Sequence, residues 1–242
     1  MVLENTLTRD RLTETRTYLE PGEVARLEAA ARYLRDKLLI RLLFRLGCRV
    51  SEALGIAAGD IDFQRGTVTI QHLKVRLKFS CPDCGSRLSK TARFCPGCGG
   101  AVAQALAEER EHRRQRTLPV DEETLRMLQE YLDRGGAVSI KGKQLLIGLS
   151  RVQAWKIVRD SAERAGLGNL VNPETGESRG ISPHRLRDAF AVHAVKHDDS
   201  GDGLRLLQEH LGHQSITTTM RYRKISGEEQ KEWYHKLWGQ GN

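Results

Sequence analysis

Four cysteines in two closely spaced pairs restrict the fold of this chain more than any other feature. They occur as Cys81-Pro-Asp-Cys84-Gly and Cys95-Pro-Gly-Cys98-Gly. The N-terminal stretch lacks the apolar core of an export signal, so we expect reduced thiols that bind a metal rather than disulfides. The glycine after each pair permits a tight turn that presents two thiolates to one ion. We predict a closed, structural zinc site formed by Cys81, Cys84, Cys95 and Cys98.

Two other interpretations of the cysteines are less favoured. A redox-active pair lies at the start of a helix that follows a strand, and neither pair has that context. The fifth cysteine, Cys48, lies in an apolar helical pattern beside Arg49. We interpret it as a small buried residue rather than a nucleophile.

Composition favours a globular protein with a polyanionic partner. Apolar residues make up 39% of the 242 residues, and the net charge is +8. A basic balance favours nucleic acid, although many soluble proteins are basic. No apolar run approaches the roughly 20 residues that a bilayer-spanning helix needs. We therefore expect a cytoplasmic protein without a membrane partner.

Apolar periodicity predicts a mixed α+β fold that is mostly helical. Helices are predicted to begin at Pro21, Asp36, Val50, Asp121, Ser150, Pro183 and Leu204, with Asp36, Asp121 and Ser150 as caps. Residues 61–63 and 67–70 are predicted to form two strands around a turn, and 73–79 continue the second strand. Polar, glycine-rich stretches at 172–180 and 198–203 predict loops.

Residues that could carry chemistry are concentrated near the C-terminus. His184 and Arg187 lie three positions apart, on one face of the helix after Pro183. A Leu-Gly-His213 turn follows, and Tyr222 lies nine positions after His213. Guanidinium and imidazole groups can hold the negative oxygens of a phosphodiester while a phenol oxygen attacks it.

These motifs resemble the active-site signature of the tyrosine recombinase, or phage integrase, family. The segment 44–54, which contains Arg49, resembles the first arginine box of that family, and 18–24 resembles the start of its catalytic domain. The resemblance runs from Tyr18 to Tyr222 and is interrupted at the cysteine pairs. It implies an integrase-like catalytic domain with a small antiparallel sheet, whose β-hairpin carries an inserted zinc ribbon.

The resemblance also implies a role for each matching residue. Arg49 and Arg187 would grip the scissile phosphate of double-stranded DNA, and His184 and His213 would donate to its oxygens or move a proton. Tyr222 would form a 3′-phosphotyrosine. Because that intermediate conserves the phosphodiester energy, the resemblance implies no nucleotide cofactor and no catalytic metal.

One family residue is harder to assign here. Family members use a hairpin lysine to protonate the leaving 5′-oxygen, and Lys74 matches that position best. The cysteine pairs interrupt the hairpin, so Lys78 and Lys90 are alternatives. Glu52 would orient the arginine of its box.

The expected organisation is a flexible N-terminal arm (1–17), a catalytic domain (18–242) and an inserted zinc ribbon (79–102). Family members close an N-terminal clamp domain over DNA, whereas only about seventeen residues precede the match here. We therefore expect self-assembly on DNA together with a separate clamp or accessory protein. The ribbon could contact DNA or a neighbouring protomer, or act as a local staple.

Two alternatives to a recombinase remain open at this stage. A shortened relative could bind DNA or a partner without full recombination, or a similar pocket could serve a topoisomerase-like nicking and closing enzyme. The apolar stripe within 228–238 fits either exchange between protomers or docking on its own core.

Overall fold

The computed structural model describes residues 17–89, 91–102, 106–172 and 175–223, with the backbone alone for 72–78 and 106–114. Residues 1–16 of the predicted arm (1–17) and the stripe within 228–238 lie outside these ranges. The α-helices are α1 (Pro21–Ala29), α2 (Leu34–Arg45), α3 (Val50–Ala53), α4 (Glu122–Asp133), α5 (Arg151–Arg164), α6 (Pro183–His197), α7 (Gly201–Leu211) and α8 (Ile216–Arg223). The strands are β1 (Ile61–Asp62), β2 (Thr67–Ser80), β3 (Arg87–Leu88), β4 (Leu106–Pro119), β5 (Val138–Ile140), β6 (Lys143–Leu145), β7 (Leu170–Val171) and β8 (Ser178–Arg179). The mixed, mostly helical fold class is confirmed.

Local signals placed five helix starts correctly, at Pro21, Val50, Asp121, Ser150 and Pro183. Helix α1 begins at Pro21, whose missing N–H costs nothing in the first turn. The Asp121 carboxylate accepts from the Thr124 N–H at 3.0 Å and caps α4. Ser150 caps α5 in the same way. Each cap satisfies a backbone donor that the helix itself leaves without a partner.

The predicted cap at Asp36 is wrong. Helix α2 begins two residues earlier at Leu34, after an extended Tyr33. Asp36 is buried inside the first turn of the helix and pairs with Arg35. Helix α3 is also shorter than the predicted 50–57, because it ends at Ala53.

Two predicted loops contain regular structure. Strand β8 lies within 172–180 and pairs with β7. Helix α7 begins at Gly201 within 198–203, because the Ser200 hydroxyl accepts from the Gly203 N–H at 3.0 Å and caps it. The sequence patterns also missed the β5–β6 hairpin and helix α8.

A long antiparallel hairpin dominates the sheet. Strands β2 and β4 each have 14 residues and pair from Thr67 opposite Pro119 to Ser80 opposite Leu106. At about 3.4 Å per residue, each strand extends roughly 45 Å. The cysteine pairs follow the far end of this hairpin, where β3 adds a short third strand. The predicted continuation of the second strand through 73–79 is confirmed.

The backbone places Lys74 in β2 opposite His112. The side chains of Lys74 and Lys78 lie outside the described part of the structure, and so does the whole of Lys90. The assignment of the family lysine therefore stays a prediction.

Helix α2 forms the centre of the main core. Its apolar residues are almost completely buried, namely Leu38, Leu39, Ile40, Leu42 and Leu43. It packs against α1, α4, α5 and α6, which explains why a helix so apolar on most faces is stable inside the domain. Within the described residues, no helix is long and apolar enough to cross a membrane.

A second, smaller core joins the C-terminal helices. Ala191 and Val195 of α6 pack against Leu204, Leu207 and Leu211 of α7. The α8 residues Met220 and Tyr222 lie against this cluster. The position of α8 therefore depends on the apolar contacts beneath it.

Candidate active site

A buried carboxylate gathers arginines from three elements. Glu52 of α3 is 4% exposed. Arg116 of β4 donates from Nη1 and Nη2 to the two Glu52 oxygens, at 3.2 and 2.7 Å. Arg49 donates to the same carboxylate from Nη1 at 3.1 Å and from its backbone N–H at 2.9 Å. Nη1 of Arg187, on α6, lies 4.0 Å from Oε2 of Glu52.

Glu52 remains ionised despite its burial. Burial by itself raises the pKa of the carboxyl, but the hydrogen bonds and charges of Arg116 and Arg49 outweigh it and lower the pKa to about 2. The predicted support of Arg49 by Glu52 is thus present in the structure. Arg116 lowers the pKa of Glu52 more than Arg49 does. In the sequence, Arg116 is only the last arginine of the charged segment 108–116.

Arg187 is held rigidly in the centre of the site. It is 2% exposed, and its Nη1 donates to the Gly47 carbonyl at 2.6 Å. Its Nη2 donates to the Leu211 carbonyl at 2.8 Å and lies 3.0 Å from His213 Nε2. Burial and the nearby Arg49 lower its pKa to about 10, so it stays charged at neutral pH.

Gly47 permits this close packing. Its φ is +53°, and a Cβ built there would lie 2.4 Å from Cδ1 of Phe190 on α6. A side chain would therefore both strain the backbone and push α6 away from the Gly47 carbonyl that Arg187 binds. No sequence pattern indicated this role of Gly47.

His213 is a neutral imidazole. Arg187 can only donate, so Nε2 of His213 accepts, and the ring proton is on Nδ1. Nδ1 lies 2.9 Å from the Thr219 hydroxyl oxygen and donates to it. Burial and the charge of Arg187 lower the pKa of His213 to about 4. Both ring nitrogens are therefore occupied within the protein.

Tyr222 lies beside this pair on α8. Its ring centroid is 6.3 Å from that of His213, and the two rings are nearly parallel at 16°. The hydroxyl donates to Oδ1 of Asp188 at 3.0 Å. Burial and the Asp188 carboxylate raise the pKa of Tyr222 above its ordinary value, so the phenol is protonated. No sequence signal distinguished Asp188.

The structure brings four of the six predicted catalytic residues into one cluster. Arg49, Arg187, His213 and Tyr222 are linked by the contacts described above. His184 is exposed at the rim, where its Nε2 lies 3.7 Å from the Asp188 Oδ1 that Tyr222 also contacts.

The four predicted metal ligands also lie together. Their sulfur atoms are all within 4.8 Å of one another, with 3.8 Å from Cys81 to Cys98 and 3.5 Å from Cys84 to Cys95. Tetrahedral zinc with Zn–S bonds of about 2.3 Å separates its sulfurs by roughly 3.8 Å, so the thiols fit that geometry.

The two cysteine turns have the same backbone. Gly85 donates to the Cys81 carbonyl at 3.0 Å, and Gly99 donates to the Cys95 carbonyl at 2.9 Å. The two glycines have φ of +72° and +73°. The predicted tight turns are therefore present, and each glycine adopts a backbone that other residues rarely tolerate.

Cys48 has a different environment from these thiols. It is completely buried, and its sulfur donates to the Leu42 carbonyl at 3.3 Å. Burial raises the pKa of the thiol to about 12. These contacts support its interpretation as a buried residue without a chemical role.

The sequence profile of the phage integrase family matches residues 17–82 and 101–229. The chain belongs to the phage integrase family. The profile skips 83–100, which contains three of the four clustered cysteines. This membership supports the resemblance seen in the arginine box and the C-terminal motifs.

Curated relatives include tyrosine recombinases named XerD. The XerD of Neisseria meningitidis serogroup B is 30% identical over 223 residues, which cover 87% of this chain and 59% of the relative. The XerD of Mycobacterium leprae is 30% identical over 80% of this chain and 49% of the relative. The chain thus spans about half to three-fifths of the length of these relatives.

Solved structures confirm the integrase-like fold. The match to a crystal structure of XerA recombinase covers 91% of this chain and 65% of the XerA chain, with a TM-score of 0.59 and 21% identity. The match to the catalytic domain of bacteriophage HP1 integrase covers 89% of this chain and 92% of the HP1 chain, with a TM-score of 0.51 and 18% identity.

We expect Glu52→Gln to destabilise the fold in a pH-dependent way. Since folding lowers the pKa of Glu52 from 4.5 to about 2, ionisation of the carboxylate stabilises the native state above pH 4.5. Such a shift is worth about 3 kcal/mol, and this contribution disappears as the pH falls from 4.5 towards 2. Urea unfolding at several pH values measures the difference between wild type and variant.

The matched control is Glu130→Gln, since Glu130 forms an exposed pair with Arg134. We expect this control to change the free energy of unfolding by less than about 0.5 kcal/mol. An equal loss in both variants at pH 7 would contradict the anchoring role of Glu52.

Proposed function

We propose that this chain cleaves and rejoins strands of double-stranded DNA through a 3′-phosphotyrosine on Tyr222. The observation that carries the proposal is the convergence of Arg49, Arg187, His213 and Tyr222 around the Glu52 carboxylate. Membership of the phage integrase family and the tyrosine recombinases among the relatives support it.

We propose a separate task for each of these groups. Arg187 uses three of its N–H groups within the protein, and the other two make no hydrogen bond to a described residue. These two and the partly exposed Arg49 can donate to phosphate oxygens, which gain charge in the transition state. Neutral His213 holds Arg187 in place. His184 can donate to the phosphate from the rim of the site.

The bond changes need no external energy source. The bond from the Tyr222 oxygen to phosphorus forms while the bond from phosphorus to the 5′-oxygen breaks, and the 5′-oxygen takes a proton. The family resemblance assigns that proton to Lys74. Attack by the free 5′-hydroxyl reverses the step, so the residues need neither a nucleotide nor a catalytic metal.

We further propose that Cys81, Cys84, Cys95 and Cys98 bind one structural zinc ion in the segment 79–102. Four sulfur donors with the spacing of a tetrahedral site support this assignment. A closed set of four thiolates leaves no open position for catalysis. The zinc would hold the two cysteine turns together where the β2–β4 hairpin ends.

Assembly on DNA is part of the proposal. Among the structural neighbours, XerH is seen bound to its difH substrate in a post-cleavage complex, with a TM-score of 0.56 and 20% identity. A lambda integrase dimer is seen bound to a core site. We infer that copies of this chain likewise act together on DNA.

We expect Tyr222→Phe to abolish covalent adducts while it preserves folding and noncovalent DNA binding, because it removes only the attacking oxygen. The substrate is a pool of nicked suicide duplexes with a randomised core, from which wild-type protein captures its own sites as detergent-resistant adducts. Tyr33→Phe, an exposed tyrosine, serves as the control and should capture like wild type. Capture by Tyr222→Phe at the wild-type rate would refute the assignment of the nucleophile.

We expect Arg187→Lys to reduce cleavage of the captured sites by about 10²- to 10³-fold. Lysine keeps the charge but lacks the planar set of donors that binds main-chain carbonyls, His213 and phosphate together. Arg134→Lys, at an exposed position, should cleave at the wild-type rate. Single-turnover cleavage assays measure both, and equal defects would show that the active site lies elsewhere.

We expect the purified, reduced protein to contain one zinc per chain with Zn–S distances of about 2.3 Å. Elemental analysis and X-ray absorption spectroscopy measure the two quantities. Cys84→Ser should lose most of the zinc, whereas Cys48→Ala should retain it. Wild-type protein without zinc, or with equal zinc in both variants, would contradict the site.

A further inference from the structure

Attack by a tyrosine requires a group that accepts the phenolic proton, and we propose that Asp188 is this catalytic base. The proposal rests on the proposed role of Tyr222 as the nucleophile. It is carried by the direct contact between the reacting oxygen and the Asp188 carboxylate, at 3.0 Å. That distance is within the range over which a positioned base can take a proton.

The carboxylate is fixed in this orientation. Asp188 follows Arg187 directly on α6, so the helix that places the phosphate-binding guanidinium also places the base. Arg185 donates from Nη1 to Oδ2 of Asp188 at 2.9 Å. This bond leaves Oδ1 directed at Tyr222. The Asp188 side chain is 15% exposed, which limits competition from water.

His213 is the other nearby candidate, and its contacts exclude it. Its Nε2 accepts from Arg187 and its Nδ1 donates to Thr219. Neither nitrogen is free to receive the Tyr222 proton without breaking one of these bonds.

The remaining groups around Tyr222 cannot take the proton directly. Arg185 and Arg187 are cations with no acceptor. Among the described residues, the phenol donates its hydrogen bond to Asp188 and not to His184, whose Nε2 lies 3.7 Å from Oδ1 of Asp188 and whose side chain is 69% exposed. His184 is thus placed to pass a proton from Asp188 to solvent.

The Tyr222 oxygen bonds to phosphorus, and its proton moves to Oδ1 of Asp188. The bond from phosphorus to the 5′-oxygen breaks, and the 5′-oxygen receives a separate proton from the general acid. A phenol becomes strongly acidic only as its oxygen bonds to phosphorus, so a carboxylate can accept the proton during the attack. Rejoining returns the proton from Asp188 to Tyr222.

The first test compares Asp188→Asn with wild type on the captured DNA sites. Asparagine keeps the shape and the acceptor oxygen but cannot take a proton, so we expect cleavage to fall by about 10²- to 10⁴-fold. Noncovalent DNA binding should be retained. The matched control is Asp202→Asn on α7, where the carboxylate is 90% exposed and pairs with Arg205.

The second test uses a duplex with a 5′-bridging phosphorothiolate, whose sulfur leaves without a proton. The defect of Asp188→Asn should persist on this substrate, whereas a defect of Lys74→Ala should be relieved. Formate should restore cleavage to Asp188→Ala, since a small carboxylate can occupy the space left by the side chain. It should restore nothing to Tyr222→Phe.

The outcomes separate this inference from the proposed function. If Asp188→Asn cleaves within about threefold of the wild-type rate, Asp188 is not the base, because loss of a general base lowers the rate far more than this. Tyr222 remains the nucleophile in that case. If formate does not restore cleavage to Asp188→Ala, Asp188 is a positioning residue and not the base. Absence of adducts with the wild-type protein refutes the proposed function itself.

Discussion

The site depends on one buried carboxylate. Arg49, Arg116 and Arg187 come from three separate elements, and without a counter-charge their mutual repulsion would oppose the packing of α3, β4 and α6. Glu52 offsets one positive charge and orients the two arginines that bind it. The remaining positive charge is available to a phosphate. A single buried acid thus permits a concentrated cationic pocket without the desolvation cost of leaving every guanidinium unpaired.

Arg187 connects this pocket to the helices around it. The carbonyls that it binds lie just beyond α2, at Gly47, and at the last residue of α7, Leu211. Carbonyls at helix C-termini lack partners within the helix and carry partial negative charge, so a buried cation satisfies both helices at once. The same guanidinium fixes the tautomer of His213. Arg187 therefore both packs two helix ends and organises the proposed catalytic pocket.

The cysteine cluster is organised independently of that pocket. Its turns use local backbone bonds and positive-φ glycines, and it follows the far end of the β2–β4 hairpin. The family profile skips most of this segment while it matches both flanking strands at least in part. A hairpin tolerates such an insertion because its strands continue to pair with each other whatever the connection beyond them contains.

The sequence by itself determined the features that depend on short spacing. These include the helix starts at Pro21, Asp121 and Ser150 and the two tight cysteine turns, where each partner lies within a few residues. Arg187 and Tyr222 were assigned differently, through the resemblance of their motifs to a known family. Tertiary structure alone decided the pairing of Arg116 with Glu52, 64 positions apart, and of Tyr222 with Asp188, 34 positions apart. Neither pairing leaves a periodic trace in the sequence, since both arise only when packed elements bring distant side chains together.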